Sequence, residues 1–182
     1  MKGAVFTELF DYVEDAHGPE FLQETIDAAD LPTKGVYATT GTYPTSEMVS
    51  LVSVLSNSSG IAVPDLLRVF GEHLFGRFTV SYPALFEGCD DAFSFLASVE
   101  NVIHMEVRKL YPDAELPTFE TAVHTDTHLQ LIYRSRRHMG DLCEGLIRGC
   151  LAHFEEEAVI TRTTLEESPD SVIKFDIEKQ PK

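Results

Sequence analysis

Residues 90–111 read DDAFSFLASVENVIHMEVRKLY, and one imidazole, His104, stands there at the edge of an otherwise apolar helical face. Phe93, Leu96, Val99, Ile103, Val107 and Leu110 recur at the three-to-four spacing of an amphipathic helix, and Ala97 and Val107 lie on the side toward which His104 points. A histidine so placed needs a partner. One reading is a core histidine hydrogen-bonded to nearby backbone, the usual fate of a buried polar group. The other is an axial ligand to a metal, since imidazole is the commonest metal-binding side chain.

The rest of the chain reads as a housing for that side chain. Its 182 residues suit one domain with a single substantial core. Hydrophobic residues make up 43% and charged residues 24%, an ordinary balance for a folded protein. The net charge of −16, from 14 basic and 30 acidic side chains, would be repelled by phosphate backbones and anionic leaflets. Nucleic acid and membrane surfaces are thereby disfavoured as partners. The opening MKGAVFTELFDYVED carries acids where a secretory signal is apolar, and no run reaches membrane-span length, so a cytoplasmic location is expected. Cys89, Cys143 and Cys150 are too few and scattered for a disulfide framework. Cys143 and Cys150 lie about 10 Å apart on one predicted helix, too far to bond, and read as small core residues.

Along the chain, Val5, Leu9, Tyr12 and Val13 stripe a first helix that Gly18-Pro19 ends, and a second runs from Pro19 to about Ala29 with Phe21, Leu22 and Ile26 inward. Residues 34–45, KGVYATTGTYPT, lack helical period and read as a partly extended connection. Ser46 is expected to cap a third helix through Met48, Leu51, Val52 and Leu55, closed by SNSSG. Pro64 opens a fourth, with Leu67, Phe70, Leu74 and Phe78 sharing a face. Tyr82-Pro83 breaks the chain before the His104 helix. After Pro112 the period changes to two, predicting strands over 118–124 and 128–135 around a turn at 125–127. A long helix over 139–154 follows, then a second hairpin, 158–165 and 172–177, turning at Ser168-Pro169-Asp170. The tail EKQPK is expected to fray. Helices first and antiparallel strands last make the class α+β.

Tyr133, Ser135 and Arg137 in YRSRR stand at intervals of two, which in an extended segment aims them to one side. Two hydroxyls and a guanidinium on one face make a receptor for carboxylates, unless the segment is merely a solvated edge with basic guards. A single axial histidine together with a carboxylate receptor matches haem, which needs one such ligand and presents two propionates. The opening MKG, the His104 helix ending in EVRKLYP, the turn ELPTF, the YRSRR triplet and the following GLIRG resemble the haem-nitric oxide/oxygen binding (H-NOX) domains of bacterial gas sensors and of soluble guanylate cyclase.

The resemblance covers nearly the whole chain. It implies a single H-NOX domain over 1–182, with a distal helical part (about 1–62) and a proximal part (about 63–182) whose four-stranded antiparallel sheet and long helix enclose haem b. It makes His104 the proximal iron ligand, Tyr133, Ser135 and Arg137 the propionate clamp, and Pro117 the ring that presses on the porphyrin. Val5, Leu9, Leu74, Phe78 and Leu142 fall where the family lines the distal side, and all are apolar. Oxygen is held on ferrous haem when a distal donor stabilises the developing charge, and oxygen-keeping relatives place a tyrosine where Leu142 stands. Nitric oxide needs no such donor. The resemblance therefore implies a sensor of nitric oxide that tolerates carbon monoxide and excludes oxygen, unless Tyr82, His73 or Tyr12 reaches the pocket.

Signal output would come from release of His104, in a chain that is not an enzyme and acts on a separate histidine kinase or diguanylate cyclase. Competing readings are an oxygen or redox sensor, a haem carrier and a haem-free interaction module. HTDTH at 124–128 suggests a metal site, but a hairpin turn accounts for it better. Cysteine is absent after Cys150, which argues against a thiol-bound zinc near the C-terminus.

Overall fold

The computed structural model describes residues 1–179. Helices α1 (Gly3–His17), α2 (Pro19–Ala28), α3 (Thr45–Ser59) and α4 (Val63–Ser81) come first. Their inward stripes follow the helical period: Phe6, Leu9 and Val13 from α1, Met48, Leu51, Val52 and Leu55 from α3, and Leu67, Phe70 and Leu74 from α4 form one buried cluster. Gly18 ends α1 at a positive φ of 87°, which suits a residue without Cβ, and Pro19 then opens α2. Ser46 does not cap α3. The helix begins at Thr45 after Pro44 with no side-chain cap, so Ser46 lies inside its first turn. Gly60, left-handed at φ 73°, closes it.

Residues 90–111 do not make one continuous α-helix. A short 3-10 turn (Pro83–Phe86) follows α4, and α5 (Ala92–Ser98) then passes into a π-helical segment (Val99–Ile103) before α6 (His104–Leu110) resumes. Asp91 caps α5, its carboxylate accepting from the Ser94 backbone at 2.9 Å. Phe93 and Leu96 are buried, but Leu110 at the far end is 68% exposed.

Strands β1 (Thr118–His124), β2 (His128–Ser135), β3 (Ala158–Glu166) and β4 (Ser171–Lys179) form one antiparallel sheet in the order β1-β2-β4-β3. Alternation along β2 and β4 turns Leu129, Leu131, Tyr133, Ile173, Phe175 and Ile177 to one buried face. Helix α7 (Gly140–His153) packs Cys143, Ile147, Cys150 and Leu151 into the same core. Its glycines press against α4: a Cβ on Gly145 would meet the Arg68 carbonyl oxygen at 2.2 Å, and one on Gly71 the Leu142 carbonyl oxygen at 2.5 Å. Thus α7 joins the helical core to the sheet core. Of the tail expected to fray, Glu178 and Lys179 are the last residues of β4, and residues 180–182 lie outside the described part.

Candidate functional site

Where the two cores meet, they leave a cavity of about 980 Å³. That is the upper end of the roughly 300–1,000 Å³ range of cofactor and ligand pockets. Its wall is mostly apolar, contributed by α1 (Val5), α4 (Leu74, Phe78), α7 (Leu142, Leu146) and the Val99–Ile103 segment. Leu9 belongs to the helical core and not to this wall. Pro117, just before β1, lines the cavity as well.

His104 is the wall's imidazole and is 8% exposed. Its Nδ1 lies 3.1 Å from Glu100 Oε2, which leaves Nε2 as the nitrogen free for a ligand. The same carboxylate accepts from Arg108 Nη2 and from the Phe119 backbone N–H, each at 3.1 Å. Burial lowers the His104 pKa, opposed by Glu100, so the ring is neutral near pH 7, as metal ligation requires. Burial acts to raise the Glu100 pKa, but the hydrogen bonds from Arg108, His104 and Phe119 together hold it below the usual carboxylate value. Glu100 was not singled out from the sequence, although its position one turn before His104 was a usable signal.

Tyr133, Ser135 and Arg137 all line the cavity. Tyr133 and Ser135 share the inner face of β2, as alternation requires. Arg137 lies beyond the strand's last residue, so alternation does not place it. Ser135 Oγ accepts the Arg137 backbone N–H at 3.1 Å in the turn that follows, and the Arg137 guanidinium donates to the Glu115 carbonyl. Burial raises the Tyr133 pKa, which keeps the phenol neutral, and lowers that of Arg137, whose guanidinium nonetheless stays charged near neutral pH. Arg134 and Arg136 point away, toward Glu166 and Asp170.

Tyr82 is on the wall, its ring 6.0 Å from that of Phe78. Tyr12 and His73 are not; their rings contact each other at 4.7 Å outside the cavity. Cys143 reaches the wall, but burial pushes its thiol pKa up, so it is not a reactive thiolate. In HTDTH, His128 pairs with Asp176 at 3.2 Å, and among the described residues no group of three or more His, Cys, Asp or Glu is gathered for a metal.

One neutral imidazole, two hydroxyls, a guanidinium and a large apolar cavity form a donor set that fits an iron porphyrin with its propionates. A family model described as Haem-NO-binding matches residues 2–162. The chain belongs to the haem-NO-binding (H-NOX) family. Its fold is that of an H-NOX protein: the Fe(II) unliganded H-NOX protein from K. algicida is 41% identical with a TM-score of 0.93, over 100% of this chain and 98% of that one. The H-NOX protein from S. oneidensis in the Fe(II)NO ligation state is 27% identical with a TM-score of 0.91, over 100% of both chains. No curated protein matches. In this H-NOX chain no described helix is long and apolar enough to cross a membrane.

Proposed function

We propose that the chain is a haem b sensor that binds nitric oxide, tolerates carbon monoxide, excludes oxygen and passes the signal to a separate effector protein. The observation that carries this reading is the apolar cavity wall formed by Val5, Leu74, Phe78 and Leu142, with His104 as the imidazole on the same cavity. When bound, haem supplies a ferrous iron that takes a diatomic gas. His104 would hold that iron through Nε2, and Pro117, on the same cavity wall, would pack against the macrocycle. Arg137 would grip a propionate in a charge-assisted bond, with Tyr133 and Ser135 completing its hydrogen bonds.

Leu142 has no proton to donate, so oxygen gains no stabilisation from it, whereas nitric oxide needs none. The bond that nitric oxide would release is the one made by His104, and its loss would free the His104 helix relative to Pro117 and the distal helices. A histidine kinase or diguanylate cyclase that prefers one arrangement reads the change. The chain itself performs no catalytic step.

Tyr82 on the wall favours a second reading, in which its hydroxyl retains oxygen. Visible spectra of the reduced protein alone, in air and with nitric oxide separate the two. The proposal expects a change with nitric oxide and none attributable to oxygen binding in air. A stable oxygen-bound spectrum overturns the choice of gas, and pigment content and gas response unchanged in His104→Ala overturn the assignment of the ligand.

A further inference from the structure

We infer that Glu100 is the positioning residue that sets how firmly His104 holds its metal, and that Arg108 tunes it in the opposite sense. This rests on the reading of His104 as iron ligand. A metal-bound histidine almost always donates its second ring N–H to a carboxylate, carbonyl or water, and that acceptor fixes the tautomer and raises the basicity of the coordinating nitrogen. Glu100 Oε2, 3.1 Å from Nδ1, is such an acceptor.

Glutamate and histidine four apart on a solvated helix contribute little. Here the surroundings differ. His104 is buried, the Glu100 side chain is 23% exposed, and Oε2 is also tied to the Phe119 backbone N–H nineteen residues away at the start of β1. Both lie at the π-helical segment, where the His104 N–H donates to the Val99 carbonyl five residues back. Single π-helical turns inside α-helices are frequent at functional sites, and here Glu100 within that turn sits 3.1 Å from the ring.

The carboxylate divides its charge among three donors, and this produces a signed prediction. Arg108 Nη2, 3.1 Å from Oε1, draws electron density away from His104. Neutralising the acceptor weakens the imidazole as a ligand, and removing the guanidinium strengthens it. A carboxylate that merely stiffened the helix would make both changes act in the same direction.

The test is the iron–histidine stretching band of the ferrous holoprotein by resonance Raman, with the rate at which His104 dissociates after nitric oxide is added. Glu100→Gln is expected to lower the band frequency and speed release about 10- to 100-fold, the usual cost of losing such an outer partner. Arg108→Ala is expected to raise the frequency and slow release. A band unmoved in both variants, or shifted the same way in both, overturns the inference. Should Glu100→Gln not fold, Glu100→Asp, which keeps the charge on a shorter arm, and the half-exposed Arg108→Ala carry the test under the same criteria. His104→Ala separates the two levels. A band lost in that variant but indifferent to Glu100 and Arg108 sinks this inference alone, whereas a wild-type protein without such a band sinks the ligand assignment beneath it.

Discussion

Replacing Gly145 by alanine tests the joint on which the cavity depends. Helix α7 approaches α4 so closely there that a Cβ would sit 2.2 Å from the Arg68 carbonyl oxygen, 2.9 Å from its carbon and 2.9 Å from Gly71 Cα. The first distance is more than an ångström short of the 3.4 Å at which ordinary contact begins, and every atom met is backbone, so none can rotate away. The helices must part. Overpacking of this kind costs up to about 3 kcal/mol, and the better helix propensity of alanine returns about 1 kcal/mol, leaving a net loss of about 2 kcal/mol. For a domain of this size that lowers Tm by about 4–8 °C.

Gly76, exposed on α4 with nothing within 4 Å of its added Cβ, is the matched control. Gly76→Ala should gain about 1 kcal/mol and raise Tm by about 2–4 °C. Thermal melts of the holoprotein by circular dichroism read both variants. The same crossing predicts non-additivity, because Gly71→Ala would place its Cβ 2.8 Å from Gly145 Cα, so helices already parted by one substitution accept the second at reduced cost. A Gly145→Ala protein that melts at or above the wild-type temperature would refute the close-packed crossing.

Leu142→Tyr puts a phenol on the cavity wall; a hydrogen bond to a charged acceptor adds about 1.5–3 kcal/mol, so oxygen affinity should rise about 10- to 100-fold and the reduced variant should show, under raised oxygen, an oxygen-bound absorption spectrum that the wild type lacks. A spectrum under oxygen no different from wild type would remove Leu142 from the account of gas choice. Arg137→Ala should speed haem transfer to apomyoglobin about tenfold or more, since it deletes a charge-assisted bond of about 1.5–3 kcal/mol; unaltered transfer would detach Arg137 from the clamp. At Asp91, the hydrogen bond from the Ser94 backbone holds the carboxyl below its ordinary 3.8. A depressed folded value means that the cap's charge-dependent contribution is full above 3.8 and lost as pH falls through the folded value. Asp91→Ala should therefore cost about 1 kcal/mol, about 2–4 °C in Tm, at neutral pH. Asp91→Asn, which keeps the acceptor, should stay near wild type there and lose less stability in acid; equal acid sensitivity would contradict the cap's part in it.

Most elements were legible because each carries its own periodicity. The stripes of α1, α3, α4 and α7 and the alternation of β2 and β4 are local consequences of backbone geometry, and Gly18-Pro19 and Gly60 mark ends by their own conformational limits. His104 and the Tyr133, Ser135, Arg137 triplet stood out for a related reason: polar side chains at regular spacing in apolar surroundings demand a partner. The start of α3 was misplaced because capping preference alone favoured Ser46, whereas the chain enters the helix directly from Pro44.

From its residues alone, the chain determined its α+β class, its family motifs and the chemistry of its candidate ligands. Tertiary packing decided the rest. Val5 faces the cavity and Leu9 the core although both belong to one apolar stripe, and Tyr82 reaches the wall while His73 and Tyr12 do not. A π-helical turn interrupts the helix that carries Glu100 and His104, and a bond to Phe119 on a separate strand ties that carboxylate down. Local pattern tells which side of a helix is apolar. Which of two apolar neighbours borders a void, and where a carboxylate finds its third donor, depend on surfaces brought together from far along the chain.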